Sequence, residues 1–233
     1  MERPIRMTRF IVLLLLFFIC WILASISVDP DFGWRVQIGK YVLHHGIPAA
    51  DPYSYTMPSF RFVDHEWLTH VVMYSVYTIG GYKVLAILIA GVYTATVALI
   101  TRQFKGYWLI SHILLVAMVL LHYFAVKPQV LAWLYTALLI NALISARWRY
   151  IYRYQIPFLF LLWANTHASF VYGLGVYAVW VATDYKKTKS KSEVLLFLIS
   201  VSVTFISPYT WRIWEEIVRT GSDARLRLYV QEW

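Results

Sequence analysis

Cysteine is almost absent from this chain. Its one cysteine, Cys20, lies inside an apolar run. No intrachain disulfide can form, and a lone thiol makes no metal site, so Cys20 reads as packing. Charge is scarce as well. Only 14% of the 233 residues are charged, against about a quarter in soluble chains. Acid is the rarer sign, with 12 Asp and Glu against 21 Lys and Arg. No P-loop, Gly-x-Ser-x-Gly, kinase or Rossmann pattern occurs. No repeat of about 20–50 residues and no low-complexity tract is visible. These absences exclude a disulfide-framed secreted domain, the common nucleotide-binding enzymes and a solenoid.

What the chain does have is apolar surface. It is 60% hydrophobic and 18% aromatic, with a mean hydropathy of +0.59. That composition implies an all-α polytopic membrane protein, with many Trp and Tyr placed as interfacial anchors. The net charge of +9 is not a nucleic-acid signal. Twelve of the 21 basic residues fall in stretches 1–9, 102–106, 147–153 and 185–191. This is the positive-inside pattern, which puts those stretches and the N-terminus in the cytoplasm. No nucleic-acid partner is expected, because no basic face has a folded core of its own. Membrane lipids are the expected surroundings.

Hydropathy divides the chain as a single transmembrane domain, 1–233. Residues 10–27 form a first, uncleaved helix. An outer loop, 28–66, follows. Within it, residues 34–43 carry apolar positions at helical spacing, with Arg35, Gln37 and Lys40 elsewhere on the wheel, which predicts a surface amphipathic helix. Tyr53–Thr56 reads as strand-like or extended. Residues 67–79 are too short to span and predict a juxtamembrane or partly inserted helix on the outer side, ended by Gly80-Gly81. Further spans are expected at 84–101, 107–125 and 130–146, with Pro128 suited to a helix start. Residues 156–183 predict two short or broken helices that meet near Asn165–Ser169. Backbone of that kind is tolerated at membrane depth only where protein or a water-filled cavity covers it. A last span, 194–207, leads to an outer tail, 208–233. The count is six spans, or seven if the broken pair counts twice.

Chemistry concentrates in the outer loop. Residues 29–66 hold five of the twelve acids and three of the seven histidines. Asp29 and Asp31 form a D-x-D pair at the mouth of the first helix. Such a pair can supply a general base or hold Mg²⁺ or Mn²⁺; the plain alternative is a solvated loop start at Asp-Pro. Asp64-His65-Glu66 closes the loop. His65, Glu66 and His70 do not make a zinc-protease motif, because its histidines are four apart and these are five apart. Asp64 reads as a helix cap. His44-His45 reads as a surface pair. Lys127 and Arg212 are outer cations able to hold a phosphate or to snorkel. Asn165 and His167 are costly at membrane depth unless paired, so they mark a site or a polar core contact.

The motifs also resemble a family. They are Asp29-Pro30-Asp31-Phe32-Gly33-Trp34, Gly46-Ile47-Pro48, Asp51-Pro52-Tyr53-Ser54-Tyr55-Thr56 and His65-Glu66-Trp67-Leu68. Later matches are Lys127-Pro128-Gln129, Trp163-Ala164-Asn165-Thr166-His167, Ser207-Pro208-Tyr209 and Gln231-Glu232-Trp233. Together they resemble the bacterial GT-C-fold glycosyltransferases, the dolichyl-phosphate-mannose mannosyltransferase-like integral membrane proteins. The resemblance implies a GT-C-like bundle in the bacterial inner membrane. Its first outer loop would be long and carry short juxtamembrane helices. It implies transfer of a sugar from a polyprenyl-phosphate donor to a lipid, glycan or protein acceptor on the outer face. Asp29 and Asp31 match the active-site acid of that loop, as base or as ligands of Mg or Mn. Lys127, Arg212, His65, Glu66, Asn165 and His167 are the candidate substrate contacts. Members of this family are longer, which implies a further C-terminal half or a partner subunit. The alternatives are a lipid-linked sugar transporter or flippase, and a non-catalytic subunit or truncated fragment.

Overall fold

The computed structural model describes residues 2–57, 60–104, 108–122, 124–189 and 191–223. Lys105, Arg225 and the terminal Gln231-Glu232-Trp233 lie outside the described residues, as do parts of the expected 107–125 span. Among the described residues the chain is helical and has no strand. One isolated antiparallel bridge joins Ala50 to Arg61.

The order is α1 (Glu2–Ile26), α2 (Phe32–His45), α3 (Trp67–Ile100), α4 (Trp108–Leu121) and α5 (Gln129–Ile144). Then come α6 (Ala146–Tyr152), α7 (Ile156–Thr166), α8 (Phe170–Thr188), α9 (Lys191–Val203) and α10 (Arg212–Ser222). Two helical segments, Arg6–Ile26 and Trp67–Gln103, are long and apolar enough to cross a membrane. A third span is possible if Gln129–Ile144 and Ala146–Thr166, bent by 108°, count as one. The chain is therefore a membrane protein with two or three helices of spanning length. The other expected spans fall on shorter or less apolar helices. For instance, α7 has 11 residues and α9 has 13, about 16 and 20 Å at 1.5 Å per residue.

Side-chain contacts fix which ends meet. Arg9 donates to the Ala98 carbonyl at 2.6 Å, and Tyr82 Oη donates to the Ser27 carbonyl at 2.9 Å. So α1 runs antiparallel to the second half of α3. Arg102 donates to Ser145 Oγ at 3.1 Å and lies over the Trp148 ring. Arg149 grips the Asp184 carboxylate with two bonds of 3.2 Å and reaches the buried Glu193 at 3.2 Å. Arg9, Arg102 and Arg149, one from each of three basic stretches, thus gather at one end. The loop between α1 and α3, the α4–α5 turn and the α7–α8 break gather at the other.

Three buried clusters hold the bundle. One is built on α5, α7 and α8 around Trp163, Phe160 and Tyr177. A second joins α1, α3 and α4 around Cys20, Tyr93 and Ile113. A smaller third, with Ala24, Met73, Leu85 and Val126, lies toward the loop end.

Several local expectations change. The helix at 34–43 exists, but it does not lie on a surface by its apolar stripe. Arg35 is buried along with Val36, Ile38 and Gly39. The reason is Gly39: a Cβ there would stand 2.0 Å from the His70 carbonyl oxygen, so glycine lets the two backbones touch. Residues 67–79 and 84–101 form one element, kinked at Gly81 with φ 66 and ψ −168. Glycine alone enters that region without strain. Tyr53–Thr56 is bent rather than strand-like, because Asp51 Oδ1 accepts the amides of Tyr53 and Ser54 at 2.9 and 3.2 Å.

Candidate functional site

The loop end collects chemistry from five separate stretches. At its centre is Glu66, the last residue before α3. Three imidazoles surround it. His70 Nε2 is 3.4 Å from Glu66 Oε2, His167 Nε2 is 3.4 Å from Oε1, and His65 Nε2 is 3.9 Å from Oε1. Glu66 and His70 share one helical face, four residues apart. Burial pushes the Glu66 carboxyl up, but His70 and the charges of His65 and His167 outweigh it. Together they hold the group down at about 2, so it is an anion.

Asp64 fixes this arrangement from below. Its Oδ2 sits 2.8 Å from His70 Nδ1, and its Oδ1 accepts the Glu66 amide at 2.9 Å. The expected cap at Asp64 is thus corrected. Glu66 occupies the N-cap position with no side-chain cap bond, and the Asp64 carboxylate spends one oxygen on His70. Because Asp64 can only accept, His70 carries a proton on Nδ1, and a further N–H at Nε2 is what stabilises the Glu66 anion. On the far side, the Ser169 amide donates to His167 Nδ1 at 3.0 Å. A neutral His167 therefore carries its proton on Nε2, aimed at Glu66. This neighbourhood of His65 and Glu66 with His167 is one the sequence assigned to substrate contact; the part of His70 and Asp64 it did not. Their signal was present in the i, i+4 spacing of Glu66 and His70.

Asp29 and Asp31 are brought together, but on an arginine. Arg35 Nη1 is 2.6 Å from Asp29 Oδ1, and Nη2 is 3.1 Å from Asp31 Oδ2. The Asp31 amide also donates to Asp29 Oδ1 at 3.0 Å. Asp29 and Arg35 are nearly buried, whereas the Asp31 side chain is 56% exposed. The pair does not fit Mg²⁺ or Mn²⁺ as arranged, since a guanidinium already offsets its charge and fills its inner face. Nor do three or more His, Cys, Asp or Glu among the described residues form a set that could hold a metal. Arg35 was missed because its spacing set it off the apolar stripe. The side of α2 that meets protein runs through Arg35, Val36, Ile38 and Gly39, while Gln37 and Lys40 stay exposed.

Lys127 is buried at the start of α5, and both it and Arg35 lie within electrostatic reach of His167. Asn165 is a structural tie. Its Oδ1 accepts from Trp67 Nε1 at 2.8 Å, while its amide donates to the carbonyls of Leu161 and Ile206 at 2.8 and 2.9 Å. Around it runs an open, largely apolar cavity of about 420 Å³, lined by Trp67, Leu68, Leu161, Leu162, Asn165, Ile206, Ser207 and Pro208. Arg212 does not join this group. It lines a second cavity, of about 340 Å³, with Arg61, Phe60 and Glu215. His44 and His45 end α2, and His45 stacks on Tyr41.

No protein-family profile, characterised protein or solved structure shows significant similarity to the chain.

Proposed function

We propose that this chain is a multi-pass inner-membrane protein of GT-C-like architecture, with its N-terminus in the cytoplasm. It transfers a sugar from a polyprenyl-phosphate carrier to an acceptor hydroxyl on the outer face. One observation carries the reading. The acidic loop, the buried Lys127 and the apolar cavity at Trp67, Asn165 and Ile206 share one end of the bundle. A lipid-linked sugar needs that combination: an apolar track for the isoprenoid, a cation for the phosphate and carboxylates for hydroxyl groups.

In this mechanism the acceptor oxygen attacks the anomeric carbon. Its proton passes to Asp31, whose carboxylate is the exposed one of the pair. The bond from the anomeric carbon to the phosphate oxygen breaks, and polyprenyl phosphate leaves with inversion. Asp29 acts through Arg35, which both carboxylates share. Lys127 offsets the leaving phosphate's charge; Arg212 stands on the other cavity.

The test is transfer from radiolabelled polyprenyl-phosphate sugars in membranes, with Asp31→Asn and Asp29→Asn at equal expression. Removing a base of this kind lowers turnover by about 10²–10⁴-fold, so Asp31→Asn should abolish detectable transfer. Asp29→Asn should lower it less. Activity unchanged in both sinks the assignment. A binding or scaffolding subunit is the second reading, favoured by the way Arg35 neutralises the Asp pair. It predicts no transfer by the unaltered chain.

A further inference from the structure

Resting on the reading of the outer end as a lipid-linked sugar site, we propose that Glu66 is a substrate-contacting carboxylate that accepts hydrogen bonds from the sugar's hydroxyl groups. His70 and Asp64 serve as the residues that position it.

The argument begins with unmet bonding capacity. An ionised carboxylate has about four acceptor sites. The three imidazoles around Glu66 stand at 3.4 to 3.9 Å, beyond ordinary hydrogen-bond distance. His70 Nε2 is wholly enclosed and has no hydrogen-bond partner. A ring nitrogen buried to this degree, aimed at a carboxylate it does not quite reach, fixes the direction of the charge without saturating it. The Glu66 side chain keeps 12% of its surface open. The carboxylate is thus held rigid and in want of donors, at the mouth of the loop.

Its backbone is fixed by the same neighbour. Asp64 holds the Glu66 amide with one oxygen and His70 with the other. Displacing either would let the carboxylate swing while leaving the apolar cavity beside Trp67 untouched. Donors that come in sets and can meet an anion without neutralising it are hydroxyl groups. On a lipid-linked substrate these are the hydroxyls of the sugar. The isoprenoid has none, and the phosphate would be repelled by a carboxylate.

That division sets the experiment. Affinity of the full chain in detergent micelles is measured for a polyprenyl-phosphate hexose and for bare polyprenyl phosphate. The unaltered chain should bind both. Glu66→Gln should weaken the sugar-carrying lipid about tenfold or more, as expected for a hydrogen bond to a charged group, and leave the bare lipid unchanged. His70→Asn keeps a donor for Asp64 but loses the Nε2 contact, so it should lower the same ratio by a smaller factor. Glu66→Asp should recover part of it. Equal weakening of both lipids, or of neither, overturns the role of Glu66 and leaves the sugar site standing. Failure of the unaltered chain to bind either lipid overturns the site reading and this inference with it.

Discussion

Polar residues at depth divide here into those whose bonds are complete and those whose bonds are not. Asn165 is complete. Its side chain ties Trp67 on α3, Leu161 on α7 and Ile206 after α9 into one knot. Thr69 adds a bond to the Thr166 carbonyl at 2.9 Å beside it. Asn165→Ala would strand the Trp67 indole N–H and the Ile206 carbonyl in a partly buried setting, while the Leu161 carbonyl keeps its helical amide. An unsatisfied buried group costs about 1–3 kcal/mol, so thermal unfolding in detergent should show a loss of at least about 2 kcal/mol. A loss within error would mean that water replaces the amide. Glu66 is the opposite case: it is buried, charged and short of donors. The two residues carried the same signal in the sequence, a polar group next to an apolar run. Only the partner atoms tell them apart, and partners 98 residues away, as Trp67 is from Asn165, leave no local trace.

Elements were easier to read than their partners. The kink at Gly81, the break between α7 and α8 at His167–Ser169 and the helix near 34–43 all follow from glycine, polar interruptions and apolar spacing, although α8, with 19 residues, is not short. What spacing could not give was the direction α2 faces. Helical periodicity shows which residues share a side, not whether that side meets water or protein. Arg35 and Gly39 both lie on the side that turned out to be covered. The close approach at Gly39 is what decides it. Gly39→Ala would drive a methyl group into the His70 carbonyl, 2.0 Å away, and backbone cannot yield as a side-chain tip does. We expect destabilisation of about 1–3 kcal/mol, the usual cost of overpacking. Sugar-lipid affinity should fall as well, because the displaced α2 carries Arg35 and Trp34, whose ring meets His70 edge-on at 5.1 Å. A Gly39→Ala protein with unchanged stability would show that α2 is free to move off α3.

At the scale of the whole molecule, long and short helices stand side by side. The long pair, α1 and the second half of α3, is joined head to tail by Arg9 and Tyr82. The shorter helices α7 and α9 stop where the 420 Å³ cavity opens. A hydrocarbon core about 30 Å thick is matched by the long pair and not by these short helices, which favours local thinning of the bilayer. The cavity would then be reachable sideways from lipid, as a polyprenyl chain requires. The proposed transfer to an outer-face acceptor requires the loop end to face outward and the arginine end to face the cytoplasm. The near absence of cysteine makes that directly testable, since Cys20 is 0% exposed and should give no background. Tyr55, in the loop, is 93% exposed, and Tyr150, at the arginine end, is 85% exposed. In right-side-out membrane vesicles a membrane-impermeant maleimide should label Tyr55→Cys and spare Tyr150→Cys until the vesicles are opened. The reverse pattern would turn the site to the cytoplasm and remove the outer-face acceptor from the proposal. Labelling of both positions in sealed vesicles would place the two ends on one side. The segregation of charge between them would then have to be explained without a membrane crossing.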